Sequence, residues 1–146
     1  MVAGLAGAAA DPARRRAWLR ATALVAGAHA VSIGVKRAVR RPRPDLPGVP
    51  PLVRTAGRHG FPSSHASSST AAALAFGVLL PRAPLRPLAA AVCLSRLVAG
   101  VHYPSDVACG ALLGAAAARL GRAWVLAAPP GTPTPDLGRP WRGGAR

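Results

Sequence analysis

Glutamate is absent from this chain, and aspartate occurs only at Asp11, Asp45, Asp106 and Asp136. Metal-dependent hydrolases gather several carboxylate or histidine ligands, so this small stock of carboxylates points to chemistry without a metal or other cofactor. The two cysteines, Cys93 and Cys109, sit in apolar stretches without metal-ligand spacing and read as small buried residues. Aromatic residues are few (three Trp, two Phe, one Tyr), and none is interleaved with basic residues as a base-stacking platform requires. Nucleic acid is therefore not the expected partner, even at a formal net charge of +15. Lysine is nearly missing too: Lys36 stands alone among eighteen arginines. Met1 to Ala10 is apolar but lacks a basic start and runs into an arginine cluster, so it does not read as a cleavable signal peptide.

What remains is apolar residue, at 51% of the chain, and arginine in clusters. The clusters fall at Arg14 to Arg20, Lys36 to Arg43, Arg54 and Arg58, Arg82 and Arg86, Arg119 and Arg122, and Arg139 to Arg146. Between them run stretches of Ala, Leu, Val and Gly with almost no charge, the layout of membrane spans with basic flanks. Four apolar segments are expected as helices, at about 17–39, 62–80, 85–101 and 104–127. The first is long enough to cross a hydrocarbon core of roughly 30 Å, while the second and third are near the short limit. Hydropathy alone leaves open a small soluble bundle rich in alanine. The fold class expected is all-α, a polytopic membrane bundle of about four transmembrane helices. It divides into a membrane domain over 1–128, with an irregular Pro/Gly/Arg-rich loop over 40–61, and a disordered basic tail over 129–146. Charge counting places both termini in the cytoplasm and the 36–58 loop on the extracytoplasmic side of the plasma membrane. That loop is basic as well, and cations kept on the unfavoured side suggest anion binding.

The unusual polar residues collect in three groups at helix ends on that side. Lys36 is followed after six residues by Arg43-Pro44; Lys36, Arg40 and Arg43 fall at helical spacing, and the prolines stop the helix. Alone, this group reads equally as snorkelling cations. Phe61-Pro62-Ser63-Ser64-His65 opens a helix with Pro62 expected at its first position, so free amides and two hydroxyls offer an anion site within reach of His65. A serine cap beside a structural histidine would look the same. Ser95-Arg96, His102 and Asp106 form the third group. Arg96 needs an anion or the interface, and Pro104 starts a helix whose first turn carries Asp106. From there a carboxylate can hold one nitrogen of His102 and leave the other aimed outward. A capping Asp beside a hydrogen-bonded His is the plainer alternative.

Together, in this order and spacing, the three groups resemble the signature of the type 2 phosphatidic acid phosphatase superfamily, which also contains the vanadium haloperoxidases. The match covers Lys36 to Asp106, and the apolar frame from Ala17 to Ala127 fits around it. By this resemblance His102 attacks phosphorus, Asp106 orients it, and His65 protonates the leaving oxygen and then activates water. Lys36, Arg43 and Arg96, with the amides near Ser63 and Ser64, hold the phosphate oxygens. The implied activity is a metal-independent phosphatase acting through a phosphohistidine on a lipid phosphate monoester or diphosphate. Candidates are phosphatidic acid, phosphatidylglycerol phosphate and a polyprenyl-linked phosphate, the last suggested by short actinobacterial members and by Ala/Arg/Gly/Pro usage typical of a GC-rich genome. A vanadate-dependent haloperoxidase-like enzyme and a catalytically silent membrane scaffold are the rival classes. The family more often has Gly at the position of Ser64, which still supplies a backbone N–H. Membrane members commonly have six spans, so this chain corresponds to the last four, and Val2 to Ala10 looks like the stub of a preceding helix. Oligomeric state is not legible.

Overall fold

A computed structural model describes residues 1–45, 51–53, 55 and 57–127 of the chain. The expected basic tail over 129–146 lies outside the described residues. Five α-helices follow in order: α1 (Val2–Ala10), α2 (Arg15–Val39), α3 (Ser64–Gly77), α4 (Leu85–Val98) and α5 (Pro104–Leu126). Among the described residues the only extended pairing is an isolated bridge between Pro42 and His59. The fold is all-α, as expected, and the Val2–Ala10 run is a helix in its own right.

Each helix end has a local cause. Asp11 caps the turn Pro12–Arg14 by accepting from the Arg14 N–H (3.2 Å) and from its Nε (2.7 Å). That turn reverses α1 onto α2, where Gly7 leaves room for the Trp18 ring. Trp18 in turn stacks on Phe76 of α3, with ring centroids 5.6 Å apart. α2 stops at Arg40, whose φ of 53° is left-handed and whose N–H bonds back to the Lys36 carbonyl (3.1 Å). Arg40 Nε then turns onto the Arg37 carbonyl (3.0 Å). The expected run of three cations on one helix face is therefore cut short, because Arg40 serves the helix end. Gly100 reverses α4 into α5 at φ 68°, a conformation that costs glycine no Cβ clash. Pro104 occupies the first turn of α5.

The core is built from small side chains. Ala21, Val25 and Ala28 of α2 meet Ala71, Ala75 and Phe76 of α3, with Val125 of α5 behind them. α3 and α5 pack closest of all. A Cβ at Gly110 or Gly114 would run into the Ser63 or Ser67 carbonyl, so only a hydrogen at these two positions lets the backbones meet. Spacing of four residues between small residues is a recurrent way to dock apolar helices whose association cannot rely on water exclusion.

Two segments, Pro12–Val39 and Pro104–Leu126, are long and apolar enough to cross a membrane, with mean hydropathy 1.3 and 1.2. Helices α3 and α4 have 14 residues each, about 21 Å at the helical rise, so they fall short of a full span. The bundle thus has two long helices and two short ones, the short ones being the two segments expected near the limit. The register shows where the difference goes. Arg14 Nη1 donates to the Leu79 carbonyl at one end (3.2 Å), and Ser67 Oγ donates to the Ala28 carbonyl midway (3.3 Å). Beyond Ala28, α2 continues to Val39, whereas α3 begins only three residues before Ser67. The end of α2 therefore projects about 12 Å past the start of α3. The space beside that overhang holds the segments flanking the bridge between Pro42 and His59.

Candidate active site

All three sequence groups converge in this recess. His102, between α4 and α5, is buried, and its Nδ1 lies 3.5 Å from Asp106 Oδ2. Asp106 is fully buried at the third position of α5. Its Oδ2 accepts the Tyr103 N–H (2.9 Å), and its Oδ1 faces Arg41 Nη1 in an ion pair at 3.3 Å. Its backbone carbonyl accepts the Ser63 N–H (2.9 Å), which clips the start of α3 to the start of α5.

Arg43 is anchored from the other direction. Its Nε donates to the Gly57 carbonyl (2.9 Å) and its Nη1 to the Val101 carbonyl (2.8 Å). The same Nη1 lies 3.2 Å from His102 Nε2. A guanidinium only donates, so Nε2 must carry the lone pair and the ring proton must sit on Nδ1, facing Asp106. Burial first, then the charges of Arg43 and Lys36, push the His102 pKa down to about 4, against the opposing pull of Asp106. At neutral pH the imidazole is uncharged, oriented, and presents Nε2 to a cationic pocket.

Lys36 is half-buried in the last turn of α2. Its charge bears on His102. The helix start and Ser63 differ from expectation. The α3 helix begins at Ser64 rather than Pro62, which follows a cis peptide bond after Phe61. Ser63 is its N-cap, its hydroxyl accepts the Ala66 N–H (3.5 Å), and its own N–H goes to Asp106. Ser63 is therefore committed to structure. Among the described residues the N–H groups of Ser64 and His65 have no backbone partner, as the first turn of a helix requires. His65 projects from that first turn and is exposed, and Arg96 sits in the last turn of α4 beside Ser95 Oγ (3.2 Å). Arg96, His29, Lys36 and Arg43 lie within electrostatic reach of His65.

Residues 17–129 match the PAP2 superfamily. The chain belongs to the PAP2 superfamily. Within PAP2 it is similar to the decaprenylphosphoryl-5-phosphoribose phosphatase of Mycobacterium tuberculosis, at 50% identity over 79% of this chain and 65% of that protein. The protein of the same name from Mycolicibacterium smegmatis is 49% identical over 72% of this chain and 58% of its own length. A lipid A 1-phosphatase from Rhizobium etli is 36% identical over 55% of this chain and 38% of its length. This chain thus spans just under two thirds of the mycobacterial relatives it matches. No solved structure matches.

Several parts of this PAP2 site are not legible from the motifs. Arg41 pairs with Asp106, donates to Ser105 Oγ (2.8 Å) and lies 4.5 Å over the Tyr103 ring. In sequence it is one arginine of a run, and only the fold separates it from Arg40. Gly60 brings bare backbone against the buried carboxylate: a Cβ there would lie 2.9 Å from Asp106 Oδ2. The spacing of Gly110 and Gly114 was a usable signal for the α3–α5 contact. His29, on α2, carries no motif at all.

Proposed function

We propose that this chain is a membrane-bound lipid-phosphate phosphatase that works through a phosphohistidine on His102, without a metal. The observation that carries it is the neutral, buried His102, with its Nε2 lone pair held toward Arg43 and Nδ1–H toward Asp106. In the resting site Arg43 donates to the nucleophilic nitrogen itself. A phosphate group supplies a better, charge-assisted acceptor, so its arrival draws Arg43 away and frees Nε2. Nε2 then attacks phosphorus opposite the ester oxygen. As the P–O bond breaks, His65 gives its proton to the departing oxygen, and the lipid alcohol leaves. The imidazolium of phosphohistidine keeps its Nδ1–H facing Asp106, whose charge offsets it. Water, deprotonated by His65, displaces Nε2 from phosphorus and releases inorganic phosphate.

Lys36, Arg43, Arg96 and the free N–H groups of Ser64 and His65 stabilise the equatorial oxygens. Three cations and a helix N-terminus fill the role a divalent ion plays elsewhere in phosphoryl transfer. Ser63 acts at one remove, by fixing where those amides point.

A recess beside an overhanging apolar helix suits a substrate whose phosphate ends a lipid. The similarity to two mycobacterial decaprenylphosphoryl-5-phosphoribose phosphatases favours a polyprenyl-linked sugar phosphate over phosphatidic acid. The site faces the extracytoplasmic side in the topology read from charge, and the catalytic domain extends over 1–128. Phosphate release from a panel of lipid phosphates by the detergent-purified protein tests the reading. His102→Ala abolishes turnover, vanadate inhibits, and EDTA does not; strong loss on chelation would overturn the metal-free mechanism.

A further inference from the structure

The inward stripe of α2 is buried at Trp18, Ala21, Thr22, Val25, Ala28 and Ser32. His29 lies four residues after Val25, three before Ser32 and seven before Lys36, so it belongs to the flank of that stripe, two turns below Lys36. Unlike its neighbours on the stripe, it is exposed. Among the described residues its side chain makes no hydrogen bond; only its carbonyl is used, by Ser32 Oγ (2.7 Å). An ionisable side chain halfway along an apolar helix is costly unless it meets a polar group or a hydrated cavity.

The register shows which polar group is near. Helices α2 and α3 run antiparallel, and Ser67 Oγ bonds to the Ala28 carbonyl. His29 and His65 therefore lie at the same level of the bundle, to within about 2 Å. The two catalytic histidines have different surroundings. Arg96, His29, Lys36 and Arg43 lie within electrostatic reach of His65, whereas the groups acting on His102 are Arg43, Lys36 and Asp106. His29 thus belongs to the His65 side of the recess. In-line transfer puts the leaving group opposite the nucleophile, and so on that same side.

We propose that His29 is a substrate-binding residue that hydrogen-bonds the oxygen-rich part of the leaving group, between the scissile ester and the lipid chain. It selects lipids carrying sugar hydroxyls or a phosphodiester at that position. The assignment rests on the phosphatase reading above. Neither phosphate capture nor attack by His102 requires His29, so its effect is on discrimination between leaving groups.

The test compares kcat/KM of the wild type, His29→Ala and His29→Gln in detergent micelles. Two substrates are used: a polyprenyl phosphodiester bearing a pentose 5-phosphate, and phenyl phosphate, whose leaving group has no such oxygens. In His29→Ala the ratio of the two values falls about tenfold, the effect of one lost hydrogen bond in a desolvated site. His29→Gln, which keeps a donor and an acceptor, recovers most of it. A ratio that stays constant in both variants overturns the assignment. So does an equal fall on both substrates, which would give His29 a part in the chemistry or in the fold. A wild type that cleaves neither substrate and ignores vanadate overturns the phosphatase reading instead, and the role of His29 with it.

Discussion

Replacing Asp106 with asparagine separates two tasks of the carboxylate, holding the His102 ring and countering its charge. Both oxygens of Asp106 face donors: the Tyr103 N–H at Oδ2 and Arg41 at Oδ1. An asparagine must turn its amide nitrogen toward one of them. Arg41 is partly exposed and can swing away, whereas the Tyr103 N–H is fixed backbone at the start of α5. The asparagine oxygen therefore takes the Oδ2 position, where it still faces Nδ1–H of His102, and the tautomer survives. What is lost is the negative charge 3.5 Å from the ring, worth about 5 kcal/mol against an imidazolium at an effective dielectric constant near 20. Arg41 already offsets part of that charge, so the net loss should be about 2–3 kcal/mol, roughly 30- to 150-fold in kcat. Asp106→Ala loses orientation as well, and should fall about 10³- to 10⁴-fold, as triads do when the orienting acid no longer sets the tautomer. It also strands the Tyr103 N–H without an acceptor, lowering stability by about 1–3 kcal/mol. Single-turnover phosphate release and thermal melts of the two variants give the comparison. Asparagine as damaging as alanine, or within threefold of wild type, would refute the reasoning about Tyr103.

The low His102 pKa has a sign that can be checked. Protonation removes the nucleophilic lone pair, and the folded site resists it until pH falls toward about 4. The acid limb of kcat/KM assigned to this group should lie there, not near the ordinary histidine value of roughly 6.5. Arg43→Gln removes a cation that opposes protonation and should move that limb upward; comparison with wild type on one substrate cancels the substrate's own ionisation. Gly110→Leu drives a Cβ against the Ser63 carbonyl and Ala66. Overpacking at a backbone contact should cost about 1–3 kcal/mol in thermal unfolding. Phosphate release should fall as well, because Ser63 carries the N–H that holds Asp106.

Motif order and helix-end position made most of the candidate site readable, since the proposed catalysis by fixed cations and two histidines demands those residue types at those places. Arg43 lies beside His102 and His102 beside Asp106, with Lys36, His65 and Arg96 within electrostatic reach of these groups or of one another. Periodicity and proline placement also located the four main helices to within a few residues. Ser63 was misjudged because a cap and an anion-binding amide have the same local sequence. Only the approach of Asp106 from α5 shows that its N–H is taken. Arg40 and Arg41 were indistinguishable for a similar reason: one is spent on a left-handed helix end and the other on a buried carboxylate 65 residues away in sequence.

By itself, the sequence determined the membership in PAP2, the all-helical frame and the chemical types at the site, because each rests on local residue choice and spacing. Tertiary structure decided what depends on contact between distant segments. The His102 tautomer follows from Arg43, the commitment of the Ser63 N–H from Asp106, and the overhang of α2 from the unequal lengths of α2 and α3. His29 belongs with these. Nothing around it in the chain marks it, and it gains a role only because antiparallel packing sets it level with His65.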